Sequence, residues 1–102
     1  MHYQLVFQLP FSSIDDYDAM IQLEEQLAQA LGHLGDVDGH DAGSGETNIF
    51  VLTDRPELAF DRVRRGVWGD DLPAGLKVAF RRVDGEAYTV LHSHGASTFK
   101  VV

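Results

Sequence analysis

The chain has 102 residues, of which 44% are hydrophobic and 10% are aromatic. This composition is sufficient for one packed core and too apolar for a disordered chain, so we expect a single domain over residues 1–102. Eight basic and sixteen acidic residues give a net charge of −8, which argues against nucleic acid and anionic membrane surfaces as partners. The absence of cysteine excludes disulfides, thiolate nucleophiles and cysteine-ligated metals.

The acidic and basic residues are separated along the chain. Residues 1–54 contain ten acidic residues and no lysine or arginine, whereas residues 55–102 contain eight basic and six acidic residues. The two parts therefore carry formal charges of −10 and +2. This asymmetry predicts a polarised surface rather than a uniformly acidic one.

The N-terminal segment Met1–Gln8 lacks the basic residues of a signal peptide and is interrupted by glutamines. No apolar run approaches the ~20 residues that a membrane-spanning helix needs. We therefore expect a cytoplasmic protein.

The first two predicted elements are a strand and a helix. Residues 3–9 alternate between apolar and polar side chains, which is the period of a strand with one buried face, and Pro10 ends the strand. The helix that follows is expected to run to Leu31, with Gly32 as its C-cap. Its expected N-cap and first-turn residues are Ser12 or Ser13, Asp15 and Asp16.

A glycine-rich, acidic segment over residues 33–46 follows the helix. Its first part fits a polar edge strand, and Gly43–Gly45 fits a tight hairpin turn. The apolar run Thr47–Thr53 that comes next is typical of a central strand covered on both faces.

The C-terminal half is predicted to begin with a second helix. We expect Asp54 to start this helix, with Pro56 in its first turn, and Trp68-Gly69 to close it. The apolar stripe of this helix consists of Pro56, Ala59, Phe60, Val63 and Val67.

A β-hairpin is predicted after the second helix. Asp84-Gly85 is a strong two-residue turn signal between a strand over residues 76–83 and its partner over residues 87–92. This turn predicts the pairs Phe80–Thr89, Val78–Leu91 and Lys77–His92. Residues 98–102 are expected to add one more short strand.

The order β-α-β-β-α-β predicts an α+β fold, the ferredoxin-like βαββαβ sandwich, with an additional C-terminal β-hairpin strand and both helices on one sheet face. The other face of the sheet, which no helix covers, then needs to be covered in another way. The residues expected there are His2, Gln4, Val6 and Gln8 of the first strand, with either Phe50 and Leu52 or Ile49 and Val51 of the third. This mixed surface suits a homodimer or a peptide partner, or else the C-terminal strands and tail cover it.

Two segments contain residue types that bind metal ions. His92-Ser93-His94 places two imidazoles on one strand face, but the expected opposite residue, Lys77, opposes a cation. Residues 36–41 resemble an EF-hand loop only in part, because the glycine stands at the fourth place and Thr47 at the twelfth. We expect no metal and no cofactor, and a loose acidic cation site with Glu46 is the alternative.

No motif selects a catalytic residue. Gly43-Ser44-Gly45 precedes a strand rather than a helix and has no neighbouring lysine, which excludes a phosphate-binding loop. Ala42 stands where a nucleophile elbow has glycine. The serine, histidine and aspartate residues show no spacing that selects a triad, so we predict no catalytic residue.

Part of the chain resembles a family of small bacterial proteins of unknown function. The resemblance lies in Asp38-Gly39-His40-Asp41, in Gly43-Ser44-Gly45-Glu46 leading into Thr47-Asn48-Ile49-Phe50, and in Thr53-Asp54 followed by the second helix. The resemblance covers roughly residues 35–67. It implies a ferredoxin-like domain, sometimes found near toxin–immunity loci, and it implies no catalytic residues.

Our leading hypothesis is a non-enzymatic protein-interaction module, regulatory or immunity-type, that is dimeric and engages a basic protein through its acidic half. The predicted binding residues are Asp36, Asp38, His40, Asp41 and Glu46. The alternative is a small enzyme or a small-ligand or metal-binding domain with a pocket near His40, Glu46 and His92.

Overall fold

The computed structural model describes residues 1–10, 17–43 and 45–93. Its five strands form one sheet in which every neighbouring pair is antiparallel, in the order β2-β3-β1-β4-β5. The strands are β1 (Tyr3–Pro10), β2 (Gly35–Gly43), β3 (Glu46–Thr53), β4 (Lys77–Arg82) and β5 (Thr89–His92). The α-helices are α1 (Tyr17–Leu31) and α2 (Pro56–Val63). The predicted α+β class is confirmed.

Two short helical segments extend the α-helices. A 3₁₀ turn, Gly32–Leu34, follows α1, and Gly32 takes the positive φ of +54° that favours glycine. A π-helical segment, Arg64–Trp68, continues α2 to Gly69. None of the helices in the described part of the chain is long and apolar enough to cross a membrane.

The hydrophobic core lies between the helices and one face of the sheet. Leu5, Phe7 and Leu9 of the first strand are buried in this core, as the alternation predicts. The prediction that only one face of this strand is buried is wrong, because Val6 and Gln8 on its other face are buried too. The ring of Phe7 lies 6.1 Å from the rings of both Phe60 and Trp68, measured between centroids. The other core residues are Met20, Leu27 and Leu31 of α1, Ile49 and Val51 of β3, Ala59 and Val63 of α2, Leu76, and Val78 of β4.

The second face of the sheet carries the alternate residues of the same strands. Val6 pairs with Phe50 and Gln4 with Leu52, which decides between the two predicted sets for the third strand. Part of this face is buried within the single chain, since Val6, Gln8, Asn48 and Ala79 are at most 2% exposed. Because β3 is an interior strand with buried residues on both faces, its predicted central position is confirmed.

The β4–β5 hairpin differs from the prediction. Phe80 pairs with Thr89 as expected, but a bulge between Val78 and Ala79 shifts the register, so His92 pairs with Val78. The predicted pairs Val78–Leu91 and Lys77–His92 are therefore wrong.

The hairpin connection is also longer than the predicted two residues, since β4 ends at Arg82 and β5 begins at Thr89. The Arg81 guanidinium explains the wider loop. Its Nη1 donates to the carbonyl oxygens of Arg82, Val83 and Gly85, at 3.0, 3.1 and 3.0 Å.

The start of α2 also differs from the prediction. Pro56 is its first residue and Arg55 occupies the N-cap position without a side-chain cap. The carboxylate of Asp54 accepts hydrogen bonds from the backbone N and the Nδ1 of His2 instead. The capping role predicted for Asp54 is therefore replaced by a contact between the start of the chain and the end of β3.

Several predictions concern parts of the chain outside the described residues. They are the N-cap and first turn of the first helix, the strand over residues 98–102, Ser44 of the hairpin turn, and His94 of the histidine pair.

Burial of α1 leucines is expected to dominate stability. Leu27 is fully buried in the core, whereas Leu58 on α2 is 40% exposed. We expect Leu27→Ala to lower the free energy of unfolding by about 2–5 kcal/mol, because it removes apolar contacts and leaves a cavity. Leu58→Ala is the matched control and should cost less than about 1 kcal/mol. Urea denaturation measures both, and equal losses would contradict the proposed core.

Gly35 marks a close approach of two strands. A Cβ at this position would lie 2.9 Å from the backbone oxygen of Leu52 and 3.0 Å from Cγ1 of Val51. We expect Gly35→Ala to destabilise the fold by about 1–3 kcal/mol through overpacking. Gly85→Ala, whose Cβ would meet nothing nearer than 3.6 Å, should change stability by less than about 1 kcal/mol. Thermal unfolding of both variants checks this, and a neutral Gly35→Ala would refute the close approach.

Candidate functional site

The predicted acidic binding residues lie at one edge of the sheet. Asp36, Asp38 and Asp41 belong to β2, which among the described strands lies at the edge of the sheet and pairs with β3, and Glu46 begins β3. The three aspartates are exposed and Glu46 is partly buried. We call these four residues the acidic edge.

A β-bulge in β2 arranges the acidic edge. The register shifts between Val37 and Gly39, so Asp38 is the extra residue and Gly39 takes a φ of +112°. In a regular strand, residues five apart face opposite sides. The extra residue brings Asp36, opposite Leu52, and Asp41, opposite Asn48, onto the same face of the sheet.

The three aspartates of β2 have no arginine or lysine close to them in sequence. The described elements that contact β2 most are β3, α1 and the 3₁₀ turn, and residues 17–54 contain no lysine or arginine. Within the described ranges, no ion pair joins Asp36, Asp38 or Asp41 to a cation. Among the described residues, the negative charge of the β2 aspartates is therefore not compensated by an ion pair.

The two helices do not neutralise one another through ion pairs in the described part of the chain. Instead, Arg64 and Arg65 pair with Asp61 of their own helical segment, at 3.4 and 3.2 Å. In the described part of the chain, these arginines therefore do not compensate the acidic residues of α1 through ion pairs.

Glu46 has a different environment from the three aspartates. Its Oε1 lies 3.8 Å from Nζ of Lys77, across the intervening strand β1. Glu46 is therefore partly neutralised, and the uncompensated charge is concentrated on β2.

His40 does not share a face with Asp36 and Asp41. It pairs with Ile49, a core residue, and its Nδ1 lies 3.0 Å from Oε1 of Glu24 on α1. The two side chains are 29% and 16% exposed. His40 therefore fastens β2 to α1 rather than completing the acidic edge.

The alternative pocket near His40, Glu46 and His92 finds no support in the arrangement of the strands. His40 lies on β2 and His92 on β5, the two opposite edges of the sheet. Four strand spacings separate these edges by roughly 19 Å. Within the ranges that the structure describes, no group of three histidine, aspartate or glutamate residues is arranged to hold a metal ion.

Two buried amide side chains connect the centre of the sheet to the acidic edge by hydrogen bonds. Gln8 Nε2 donates to Oδ1 of Asn48 at 2.8 Å, and Asn48 Nδ2 donates to Oδ1 of Asp41 at 3.0 Å. Sequence reasoning missed this chain of hydrogen bonds. Its signal was the presence of Gln8 and Asn48, two amide side chains, next to apolar residues in their strands.

Comparison with protein-family models, curated proteins and solved structures finds no match to the chain. The similarity to small bacterial proteins noted above therefore stays a prediction, and the functional proposal depends on the geometry of the acidic edge.

The contact between His2 and Asp54 predicts a pH effect. Hydrogen bonds from the side chain and then the backbone N–H of His2 lower the pKa of Asp54 below its ordinary value. Because the folded-state pKa is lowered, this carboxylate stabilises the fold above its unfolded pKa, and that contribution is lost as the pH falls through the folded pKa. We expect His2→Ala to raise the pKa of Asp54 only part of the way, since the backbone donor remains.

Carboxyl-carbon NMR titration measures this change. Asp84 is the comparison group, and its pKa should move less than that of Asp54, because the neighbouring Arg82 is the main cause of its lowered pKa and the charge of His2 contributes least. An Asp54 pKa that does not move in His2→Ala would contradict the assigned cause.

Proposed function

We propose that the protein is a non-enzymatic interaction module that binds a basic protein through the acidic edge. The observation that carries this proposal is the charge of β2: its three exposed aspartates form no ion pair with a lysine or an arginine among the described residues, and the described elements that contact β2 most contain neither residue type. Such a patch attracts cationic partners over distances of about 10 Å and accelerates their capture.

The three aspartates of β2 also have a structural role that is separate from binding. Charged side chains and a bulge on an edge strand prevent unwanted strand pairing between molecules. This protection needs charge on β2 but does not need the neighbouring elements to lack basic residues. The absence of lysine and arginine from α1 and β3 favours binding in addition to protection.

A ferredoxin-like arrangement of the first four strands is part of this proposal. Its support is the order β2-β3-β1-β4, in which β3 separates β1 from β2, together with helices between β1 and β2 and between β3 and β4. The fifth strand then lies beside β4 as an addition. A regulatory or immunity-type role agrees with a small acidic module that captures a basic protein.

Self-association through the second face has less support than binding at the acidic edge. Val6 and Ala79, the apolar centre of that face, are already fully buried within one chain. A homodimer there would use the residues that remain partly exposed, Gln4, Phe50 and Leu52.

Charge neutralisation tests the proposed function. The edge variant carries Asp36→Asn, Asp38→Asn and Asp41→Asn, and the control variant carries Asp70→Asn, Asp71→Asn and Glu86→Gln. Both variants change the net charge by the same amount at exposed positions. With a fluorescent oligolysine peptide as the probe, we expect the edge variant to lose about tenfold or more in affinity and the control about threefold or less.

The salt dependence of binding supplies a second criterion. Wild-type affinity for the oligolysine peptide should fall steeply as ionic strength rises to about 0.15 M, because salt screens exposed charges. Equal losses in the two variants, or binding indifferent to salt, would refute the proposed function.

A further inference from the structure

The tripeptide Val-Asp-Gly occurs twice in the chain, at residues 37–39 and 83–85. An aspartate followed by glycine is the sequence in which a side-chain carboxyl group reacts most readily with the next backbone nitrogen, because glycine has no side chain to obstruct the approach. Since the two copies have the same local sequence, any difference between their reactivities comes from the folded structure.

The second copy is held at several atoms. The carboxylate of Asp84 accepts a hydrogen bond from Nε of Arg82 at 3.1 Å, and the backbone N–H of Gly85 donates to the carbonyl oxygen of Arg82 at 3.0 Å. Arg81 also donates to the carbonyl oxygens of Val83 and Gly85. Both reacting groups of this copy, the carboxyl group and the glycine nitrogen, are therefore engaged in other contacts.

The charge of Arg82 also protects the second copy. The hydrogen bond from Arg82, and then its charge, lower the pKa of Asp84 below its ordinary value. A backbone nitrogen attacks the protonated carboxyl group, because the hydroxyl of that group can leave as water. Arg82 therefore reduces the reactive fraction of Asp84.

The first copy lies in the β-bulge of β2. Asp38 is the extra residue of the bulge, which is not opposed by a residue of β3, and Gly39 has a φ of +112°. Asp38 is exposed, and within the described part of the chain its carboxylate makes no hydrogen bond or ion pair. Apart from the chain neighbours of Gly39, a Cβ at this position would meet no atom within 4 Å. The bulge therefore gives this copy a freedom that the second copy lacks.

We infer that Asp38-Gly39 is a site of spontaneous isoaspartate formation in the folded protein, and that Asp84-Gly85 is protected from the same reaction. The nitrogen of Gly39 attacks the side-chain carbonyl carbon of protonated Asp38, a C–N bond forms, and one water molecule leaves to give a succinimide ring. One water molecule then adds to the ring. Cleavage of the new C–N bond restores aspartate, whereas cleavage of the original peptide C–N bond gives isoaspartate. The reaction needs no oxidant, reductant or enzyme.

The product changes the acidic edge without changing its net charge. Isoaspartate directs the backbone through the side-chain methylene of residue 38 and leaves the former main-chain carboxyl group as the free carboxylate. The bulge therefore gains one backbone atom, and the negative charge of residue 38 is displaced. The inference is independent of the proposed function, since the reaction requires no partner.

Storage of the folded protein at neutral pH tests the inference. Electron-transfer dissociation mass spectrometry locates isoaspartate, because it cleaves the additional Cα–Cβ bond in the backbone. We expect isoaspartate to accumulate at residue 38 about threefold or more faster than at residue 84. The control is the same protein kept unfolded in guanidinium chloride, in which the two copies should react at similar rates because their local sequences agree. In the folded protein, equal rates, a faster reaction at residue 84, or no isoaspartate at residue 38 would overturn the inference.

Two variants separate the chemistry from the fold. Asp38→Glu keeps the negative charge and should abolish the reaction at residue 38, because a glutamate would have to form a less favourable six-membered ring. Arg82→Gln removes the contact that holds the Asp84 carboxylate and should accelerate the reaction at residue 84 but not at residue 38. An unchanged rate at residue 84 in this variant would overturn the protection assigned to Arg82.

Discussion

The structure depends on the burial of β1 on both of its faces. β1 lies between β3 and β4, and its odd-numbered residues Leu5, Phe7 and Leu9 enter the core beneath the helices. Its even-numbered residues include Val6 and Gln8, which are also buried. A shift of β1 by one residue would exchange these two sets, placing an amide in the apolar core. The register of the neighbouring strands is therefore defined by β1.

That register determines the position of groups far from the core. Gln8 fixes which residue of β3 is its polar partner, Asn48, and Asn48 in turn lies opposite Asp41 on β2. Buried amides are costly unless their donors and acceptors are satisfied. The Gln8–Asn48 hydrogen bond satisfies part of this requirement. Together with the hydrogen bond from Asn48 to Asp41, it links the central strand to the exposed edge.

Periodicity made much of this fold predictable. The alternation in β1, the end of α1 at Leu31, the edge position of β2 and the buried stripe of α2 all follow from short stretches of sequence. These features depend on burial patterns with a period of two or about 3.6 residues, which a sequence displays directly.

The unpredicted features depend on contacts between residues distant in sequence or on local irregularity. Asp54 is ordinarily a good helix cap, but His2, 52 residues away, supplies its hydrogen bonds instead. The two-residue turn at Asp84-Gly85 gives way to a wider loop because Arg81 donates to several loop carbonyls. For the candidate site, the acidic residues were identifiable, whereas the bulge at Asp38 that places Asp36 and Asp41 on one face was not.

The energetics of exposed charge explain how such an edge coexists with a stable fold. Two unit charges 4 Å apart in water interact by only about 1 kcal/mol, and the interaction weakens with distance and salt. The three aspartates of β2 therefore repel one another at small cost to folding, while their combined field still acts on an approaching cation. The carboxylate of Asp41 is also restricted in its orientation before a partner arrives, because it accepts a hydrogen bond from Asn48. A carboxylate that is ordered in advance loses less conformational entropy when a cationic partner binds.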